Sequence, residues 1–470
     1  MEKSVDVAII GAGTSGLNVV SQVKKAGKSF LLINGGFWGT TCARVGCMPS
    51  KALIQVAEDY HRREIFDRHG IEGDDELSLD IAESMEHVRD MRDIFVDRVQ
   101  GASTDNMPDE VKLEGYAKFI DVNTLHVGET RINAKSIVIA TGTRPIVPEA
   151  WKKFGDRVMT TDEVFEQENF PESMAVIGLG VIGLEIGQAL SRKGIKITGI
   201  EGSDRIASLS DTAANNIAVE LMRKEFDIWL GDQAVLSEEG EQLRVTAGEQ
   251  SVLVDKVLVA IGRKPNLDNL GLENLDLSLD DNGMPAYDEN TMQLTDLPVY
   301  IAGDVNGSKQ ILHEAGDEGK IAGYNAARGS SIAFKRKTPL GITFCDPNIV
   351  TVGADWSTLE GNENVVVGEM RMGPVGRALI MGKNKGLMRV YVDKQNARLL
   401  GATLVSVKGE HVGHLLSWAI QQGLSVYDIL RLPFYHPVIE EALQACFYDV
   451  LGKLELKSTA KILELEELET

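Results

Sequence analysis

Cysteine is scarce in this sequence: four occur among 470 residues, which excludes a secreted scaffold held together by disulfide bonds. Long hydrophobic runs are also lacking. The longest covers residues 174–184 and contains three glycines, whereas a membrane-spanning helix needs about 20 apolar residues. The N-terminus lacks the charged and then apolar pattern of a secretion signal. We therefore expect a cytoplasmic protein without a membrane partner.

Basic residues are outnumbered by acidic ones. The chain has 48 Lys and Arg against 70 Asp and Glu, which gives a formal charge of −22. This surplus repels phosphate, so we expect no nucleic-acid partner. The chain is 43% hydrophobic, an ordinary globular balance. At roughly 100–200 residues per domain, its length predicts about two to four domains.

Two segments of the chain share one layout, in which a strand-like run is followed by three glycines, a helical stretch and a second strand. The glycines are Gly11, Gly13 and Gly16 in the first copy, and Gly178, Gly180 and Gly183 in the second. In both copies, 23 positions separate the first glycine from the polar residue that ends the second strand. That residue is Asn34 in the first copy and Glu201 in the second.

This spacing is typical of a dinucleotide-binding turn. The first glycine permits the tight turn, the second lets the backbone approach a pyrophosphate, and the third lets helix and strand pack closely. The alternative is a pair of glycine turns in an ordinary sheet. We predict two dinucleotide sites in an α/β protein, and Glu201 favours NAD because a carboxylate repels the 2′-phosphate of NADP. Asn34 can also form a hydrogen bond with a ribose, but its side chain carries no charge.

Cys42 and Cys47 are the one close pair of cysteines. On an ideal helix their Cα atoms would lie roughly 8–9 Å apart, beyond the limit for a disulfide, so a bridge needs a break in the helix. Gly46 and Pro49 supply one, with Pro49 expected at the first position of a helix beside Cys47. A helix N-terminus and Lys51 should stabilise a thiolate.

Two alternatives for the pair are reduced, buried cysteines and half of a zinc site. No second cysteine pair or histidine cluster completes a set of four ligands. We therefore predict no metal site.

Seven motifs follow one another in an order that resembles the flavin-dependent pyridine nucleotide–disulfide oxidoreductases, and within that family the dihydrolipoamide dehydrogenases. They lie at residues 11–16, 39–51, 139–145, 178–183, 259–266, 301–304 and 436–441. The resemblance covers essentially the whole chain. It implies a homodimeric enzyme that uses FAD and NAD.

The resemblance also implies which residues bind the two cofactors. The positions that match the FAD site are Gly11, Gly13, Gly16, Asn34, Thr41, Lys51, Gly115, Thr141, Gly142, Asp304 and Leu312. The positions that match the NAD site are Gly178, Gly180, Gly183, Glu201 and Gly262.

A redox relay follows from the same resemblance. Cys47 matches the sulfur beside the flavin, which forms the charge-transfer thiolate, and Cys42 matches the sulfur that exchanges disulfides with substrate. Lys51 and Glu185 match an ion pair beside the reactive nitrogen of the flavin. His436 and Glu441 match an acid–base pair that reaches the cysteines of the other subunit. Imidazole suits proton transfer near neutral pH.

The implied architecture has two Rossmann-like dinucleotide-binding domains and an α+β interface domain at the C-terminal end. The FAD domain is expected to be discontinuous, at residues 1–150 and 268–337. The NAD domain is expected at residues 151–267, and the interface or dimerisation domain at residues 338–470.

Several positions depart from the dihydrolipoamide dehydrogenase pattern. Thr40 replaces a glycine, Arg44 an asparagine, Phe434 a histidine and Val438 a threonine, and Asn34 replaces an acid. None removes a reacting atom. We expect a dihydrolipoyl dehydrogenase, which could serve a 2-oxoacid dehydrogenase complex. The alternatives are an NADH-dependent reductase of another small disulfide and a flavoprotein redox sensor without a dedicated substrate.

Overall fold

The structure is a computed structural model that describes residues 1–454, 462–466 and 468. Its strands are β1 (Glu2–Ile10), β2 (Phe30–Asn34), β3 (Lys112–Glu114), β4 (Ala117–Asp121), β5 (Thr124–Val127), β6 (Thr130–Ile139), β7 (Thr143–Pro145), β8 (Val158–Met159), β9 (Ser173–Ile177), β10 (Lys196–Glu201), β11 (Asp227–Leu230), β12 (Val235–Glu239), β13 (Gln242–Ala247), β14 (Gln250–Val254), β15 (Lys256–Val259), β16 (Arg263–Pro265), β17 (Val299–Ile301), β18 (Leu340–Thr343), β19 (Asn348–Gly353), β20 (Val365–Arg371), β21 (Leu387–Asp393) and β22 (Leu399–Ser406). Its α-helices are α1 (Thr14–Lys25), α2 (Thr41–Arg44), α3 (Cys47–His61), α4 (Ile81–Gly101), α5 (Thr161–Val164), α6 (Val181–Arg192), α7 (Thr212–Met222), α8 (Leu312–Arg328), α9 (Trp356–Leu359), α10 (Gly376–Ile380), α11 (Gly409–Gln421), α12 (Val426–Leu430) and α13 (Glu441–Lys453).

The first sheet has the strand order β3-β2-β1-β6-β5-β4, and β17 also pairs with β6. β2 and β6 flank β1 in parallel, and residues 7–10 of β1 are buried, as expected of a parallel strand that is covered on both faces. Helices α1 and α8 pack against each other beside this sheet. The first glycine motif therefore lies at the carboxyl end of β1, where α/β sheets bind ligands.

The second sheet repeats the beginning of the first. Its order is β11-β10-β9-β15-β8, with all neighbours parallel, and β9, α6 and β10 correspond to β1, α1 and β2. An antiparallel meander of β12, β13 and β14 follows β11. The predicted pair of Rossmann-like units is confirmed.

The C-terminal part forms an antiparallel sheet with the order β18-β19-β22-β21-β20. Helix α11 packs against β19 and β22, and α13 packs against β20 and β21. This agrees with the predicted α+β architecture. Of the interface domain predicted at residues 338–470, residues 455–461, 467, 469 and 470 lie outside the described residues.

The connections between the sheets bear on the predicted domain bounds. β7 and β16 pair antiparallel where the chain passes from the first sheet to the second and returns. β17 then adds to the first sheet after the second is complete. A discontinuous first domain is compatible with this path, and the bounds at residues 150, 267 and 337 stay a prediction.

Two packing features place the reactive segment. Helix α3, which begins at Cys47, packs against α6 of the second unit and against α4.

Among the helices of the described residues, none is both long and apolar enough to cross a membrane.

Candidate active site

The first glycine of each motif is held by a close backbone approach. Gly11 has φ +113° and Gly178 has φ +92°. A Cβ atom on Gly11 would lie 2.2 Å from the carbonyl oxygen of Ala140, and one on Gly178 would lie 2.4 Å from that of Ala260. Both contacts are impossible for a side chain, so each turn requires glycine. The two copies use the same constraint.

The other glycines of the motifs divide into packing and open positions. A Cβ atom on Gly16 would lie 1.9 Å from the oxygen of Gly11, and one on Gly183 would lie 1.8 Å from that of Gly178. In contrast, a Cβ atom on Gly13 or Gly180 would meet nothing within 4 Å. Gly13 and Gly180 cap α1 and α6 without a side-chain hydrogen bond. The open space and the uncapped N–H groups fit a bound pyrophosphate at each helix.

The polar residues at the ends of β2 and β10 occupy equivalent places. Asn34 Oδ1 accepts a hydrogen bond from the Ala12 amide at 3.4 Å, and Glu201 Oε2 accepts one from the Leu179 amide at 2.8 Å. Each of these two side chains therefore stabilises its own glycine turn through a hydrogen bond. Asn34 Nδ2 also donates to the oxygen of Gly36 at 2.8 Å, so its amide is largely satisfied within its own loop.

Arg205, the basic residue nearest to Glu201 in sequence, does not oppose the carboxylate. Its Nη1 atom donates to the carbonyl oxygen of Ser210 at 2.7 Å. The guanidinium is thereby held by the loop that follows β10. This arrangement leaves the negative charge of Glu201 at the place where the 2′-position of a bound nucleotide is expected.

One cavity of about 1040 Å³ joins the two glycine motifs and the cysteine pair. The predicted site residues that line it are Gly13, Thr41, Cys42, Cys47, Lys51, Gly142, Gly178, Gly180, Glu185, Glu201, Gly262, Asp304 and Leu312. The predicted residues outside its lining are Gly11, Gly16, Asn34, Gly115, Thr141, Gly183, His436 and Glu441. Both helix N-termini with their glycine turns and the cysteine pair therefore border one continuous cavity.

Thr141 and Gly115 donate hydrogen bonds that fix the backbone near the cavity. Thr141 Oγ1 donates to the oxygen of Asn266 at 2.8 Å, which ties the end of β6 to the end of β16. Gly115, with φ +137°, donates its N–H to the oxygen of Asn34 at 2.9 Å. Asp304 faces the cavity itself, and burial raises the pKa of its carboxyl.

The cysteines lie on either side of a helix break, as the spacing predicts. Cys42 is in α2, which ends at Arg44, and Cys47 is the first residue of α3. The expectation for Pro49 is wrong in detail: it is the third residue of α3, because the helix begins at Cys47 itself. Proline is tolerated there since the first turn lacks intrahelical acceptors for its N–H groups.

Cys42 and Cys47 are free thiols that share a hydrogen bond. The bond from Cys42 lowers the pKa of Cys47 to about 7, and the positive charge of Lys51 acts in the same direction. The same bond and burial raise the pKa of Cys42. The pair is therefore asymmetric: the pKa of Cys47 is lowered and the pKa of Cys42 is raised.

Lys51 and Glu185 join α3 to α6. Lys51 Nζ lies 2.6 Å from Glu185 Oε2, with exposed side-chain fractions of 34% and 4%. The amide of Phe344 donates to Glu185 Oε1 at 2.9 Å, and Lys51 Nζ lies 4.6 Å above the ring of Phe344. The carboxylate thus has a partner for each oxygen, and the predicted pair is in contact beside the cysteines. Phe344 was not predicted, and no motif in the sequence signals it.

His436 lies away from the cysteines within this chain. Its Nδ1 atom is 2.8 Å from Glu441 Oε1, and the amide of Val438 donates to Glu441 Oε2 at 3.0 Å. These bonds lower the pKa of Glu441. His436 is 81% exposed and does not line the cavity. Its Nε2 edge is therefore open to a second molecule.

The cavity wall contains further residues that sequence reasoning missed, and Ser15 and Arg263 are two polar ones among them. Ser15 follows Gly13 in the first turn of α1, and Arg263 donates from Nε to Thr143 Oγ1 at 2.9 Å. Arg263 lies within a motif that was recognised, directly after Gly262. Ser15 occupies a variable position of the glycine motif, so the spacing of the glycines gave no signal for it.

Comparison with known proteins decides the family. Residues 5–319 match the pyridine nucleotide-disulphide oxidoreductase family, and residues 340–446 match the dimerisation domain of the same family. The chain belongs to this family. It is consequently an oxidoreductase that uses FAD and NAD(H).

Curated relatives of this oxidoreductase match over nearly their whole length. It is 30% identical over 457 residues to the dihydrolipoyl dehydrogenase of Thermus scotoductus, with 94% of this chain and 96% of the relative covered. It is 29% identical to dihydrolipoyl dehydrogenase 2 of Haloarcula marismortui, with coverage of 93% and 95%.

A solved structure has the same fold. The Cu(II) complex of the HOCl-induced flavoprotein disulfide reductase RclA from Escherichia coli superimposes with a TM-score of 0.82 at 24% identity. The alignment covers 95% of this chain and 99% of that one.

Replacing Cys42 tests the hydrogen bond that lowers the pKa of Cys47. In the dithiol form, alkylation of Cys47 by iodoacetamide should accelerate as the pH rises through about 7, because the thiolate is the nucleophile. Cys42→Ala removes the donor and should raise this pKa, whereas Cys42→Ser keeps a hydroxyl donor and should raise it less. Mass spectrometry of the modified peptide gives the rates. Buried Cys345 is the internal control and should not react. Equal pKa values in the wild type and Cys42→Ala would contradict the assignment.

Replacing Glu201 tests the coenzyme preference. Glu201→Ala should weaken NAD⁺ binding about tenfold, since one hydrogen bond to a charged group is lost. It should also reduce the discrimination against NADP⁺, because the repulsion of the 2′-phosphate disappears. Calorimetric titration with both nucleotides measures the two effects. Glu201→Gln, which can keep the bond to Leu179, separates charge from turn stability. Unchanged NAD⁺ affinity in both variants would refute the preference.

Proposed function

We propose that this oxidoreductase is a dihydrolipoyl dehydrogenase, which oxidises a dihydrolipoyl group to its cyclic disulfide and reduces NAD⁺. The observation that carries the proposal is the asymmetric pair of Cys42 and Cys47 in the cavity that joins both glycine motifs. The curated relatives of matching length point to the same substrate. A 2-oxoacid dehydrogenase complex is the corresponding partner.

The two cysteines divide the exchange between them. In the oxidised enzyme, a substrate thiolate attacks the Cys42 sulfur, the Cys42–Cys47 bond breaks and Cys47 leaves as a thiolate. The second substrate thiol then displaces Cys42, so the substrate disulfide forms and Cys42 takes up the proton. The lowered pKa of Cys47 suits a leaving group, and the raised pKa of Cys42 suits a sulfur that ends as a thiol.

When bound, FAD would supply the two-electron chemistry that links the dithiol to NAD⁺. The first glycine motif, with Asp304 and Leu312, is proposed to hold FAD. The second motif, with Glu201, is proposed to hold NAD. Lys51, fixed by Glu185, places a positive charge at the cysteine end of the cavity.

His436 is proposed to remove the proton of the attacking thiol in the partner subunit's site. Within one chain it is 81% exposed and remote from the cavity, but Glu441 fixes its ring and its tautomer. The dimerisation domain of the family supports a homodimer. A shared site accounts for a base that Glu441 orients although it lies outside the cavity that contains the cysteines.

A second candidate function is the NADH-dependent reduction of an anionic disulfide such as glutathione or coenzyme A disulfide. It rests on Arg44, whose guanidinium lies 4.7 Å from the ring of Phe37, a side chain that is 83% exposed. Within the described residues, no carboxylate lies within salt-bridge distance of Arg44. Phe434 offers no comparable argument because it packs against the C-terminal core.

A redox sensor without a substrate is less well supported. Such a protein would need the cysteines and FAD, but it would not need a base held by a carboxylate, as His436 is by Glu441.

Steady-state reduction of NAD⁺ by dihydrolipoamide tests the proposal directly. We expect saturable turnover that falls by at least about a thousandfold in Cys42→Ser, since the exchanging sulfur is lost. The same preparation is assayed with NADH and the disulfides of glutathione, coenzyme A and cysteine. Cys345→Ser, which changes a buried cysteine outside the cavity wall, is the matched control and should keep its activity. NADH-dependent turnover of another disulfide, with none of lipoamide, would favour the second candidate.

Mixed dimers test the shared site. Cys42→Ser and His436→Gln homodimers should both be nearly inactive. Co-expressed with different affinity tags, the two chains should form a mixed dimer with about half the activity of the wild type, because one of its two sites then has an intact cysteine pair and an intact base. An inactive mixed dimer would show that His436 serves its own chain.

A further inference from the structure

The loop at residues 202–211 follows β10 and borders the second glycine motif. The amide of Ser203 donates to Glu201 Oε1 at 3.1 Å, and the amide of Ala207 donates to the carbonyl oxygen of Leu179 at 2.8 Å. Three residues of the loop line the large cavity, namely Gly202, Ala207 and Ser208. The loop therefore forms part of the wall at the place proposed for NAD.

The backbone of this loop is strained where it borders the cavity. Ala207 and Ser208 have φ values of +51° and +54°, a left-handed conformation that residues with a Cβ atom disfavour. Such residues persist only where the surrounding structure holds them in place. The hydrogen bond to Leu179 holds the loop on one side, so the end of the loop needs a support of its own.

Asp211 provides this support from inside the protein. Its side chain is fully buried, and its Oδ1 atom caps α7 by accepting a hydrogen bond from the Ala214 amide at 3.0 Å. Arg389 Nη1 donates to the same oxygen at 2.6 Å, and the hydroxyl of Tyr391 donates to Oδ2 at 2.6 Å. Both partners belong to β21 of the C-terminal antiparallel sheet. The loop thus ends on contacts with a different unit of the fold.

The two partners of Asp211 are themselves held within that sheet. The hydroxyl of Tyr391 lies 2.8 Å from Thr403 Oγ1 in β22, and Arg389 Nε lies 3.4 Å from Glu369 Oε2 in β20. A buried carboxylate is costly unless it is paired and hydrogen-bonded. Since β21 provides both partners, the position of Asp211 is set by the sheet rather than by the loop.

The same loop keeps a positive charge away from Glu201. Arg205 Nη1 donates to the carbonyl oxygen of Ser210, the residue directly before Asp211. A fixed Asp211 therefore keeps the acceptor of Arg205 in place. If the loop loosened, the guanidinium could approach the 2′-position of a bound nucleotide, where an arginine accommodates the phosphate of NADP.

We propose that Arg389 and Tyr391 are positioning residues for the NAD site. Through Asp211, they hold the loop at residues 202–210 in the conformation that binds NAD and discriminates against NADP. Neither residue lines the cavity, so their effect on the nucleotide is indirect. The inference rests on the proposed assignment of the second glycine motif to NAD, and it is independent of the disulfide substrate.

Nucleotide binding by the Tyr391→Phe holoenzyme tests the proposal. This variant keeps the ring but removes one donor to Asp211, so the Kd for NAD⁺ in calorimetric titration should rise about three- to tenfold. The ratio of the Kd for NADP⁺ to that for NAD⁺ should fall. The matched control is Tyr300→Phe, since Tyr300 is equally buried and its hydroxyl donates to the carbonyl oxygen of Ser330 outside the cavity wall. Its Kd values should equal those of the wild type.

Hydrogen exchange separates positioning of the loop from a general loss of stability. Measured by mass spectrometry without NAD⁺, amide exchange in a peptide that covers residues 203–214 should be faster in Tyr391→Phe than in the wild type. In Tyr300→Phe it should be unchanged. Arg389→Lys keeps the charge beside Asp211 and should lie between the wild type and Arg389→Gln in both measurements. This second pair decides the outcome if Tyr391→Phe does not retain FAD.

Three results would overturn the positioning role. These are unchanged NAD⁺ affinity in Tyr391→Phe and Arg389→Gln, weaker affinity without faster exchange in the loop, and an equal loss of affinity in Tyr300→Phe. Titration of Glu201→Ala keeps the site assignment apart from this role. If Glu201→Ala loses NAD⁺ affinity and Tyr391→Phe does not, only the positioning role fails. If neither variant loses affinity, the assignment of the second motif to NAD fails as well.

Discussion

The contact between Lys51 and Glu185 is the interaction on which the arrangement of the site depends. It joins α3, which starts at Cys47, to α6, which starts beside Gly180, and so fixes the cysteine segment relative to the second nucleotide unit. Glu185 is almost fully buried, and a buried carboxylate is costly unless it is paired and hydrogen-bonded. Lys51 and the Phe344 amide meet that requirement from two different parts of the chain. The reactive end of the cavity is thereby defined by three segments rather than by one loop.

Around this contact, the repeat supplies two glycine turns that have the same backbone arrangement and different side chains. The first and third glycines are required by carbonyl oxygens of the protein itself, so they would be needed whatever ligand was bound. The middle glycines face open space, so no neighbouring atom of the described residues requires glycine there. Asn34 and Glu201 both fasten their turns, yet only Glu201 carries charge. The repeat thus separates the constraints of folding from those of recognition.

The same separation explains what could be predicted from the sequence. The glycine spacing, the break between Cys42 and Cys47 and the two Rossmann-like units depend on local backbone rules, and the structure has all three. The hydrogen bond from the Phe344 amide to Glu185 and the burial of the unpaired Ser15 hydroxyl depend on packing between distant segments. The spacing of residues in the sequence does not encode such packing. The role proposed for His436 requires a second subunit, so only the family resemblance indicated it. Pro49 was misplaced by two positions because helix ends are decided by weak local preferences.

The asymmetry of the cysteines constrains the role of the ion pair. The main cause of the lowered pKa of Cys47 is the hydrogen bond from Cys42; Lys51 lowers that pKa further, while Glu185 raises it. The lowering of this pKa by Lys51 is larger than the raising by Glu185, and both effects are smaller than that of the hydrogen bond. The thiolate is therefore stabilised chiefly by its partner cysteine, which is available as a donor only when the bridge is open. The ion pair then serves to position α3 and α6, and the charge state of Cys47 follows the redox state of the pair itself.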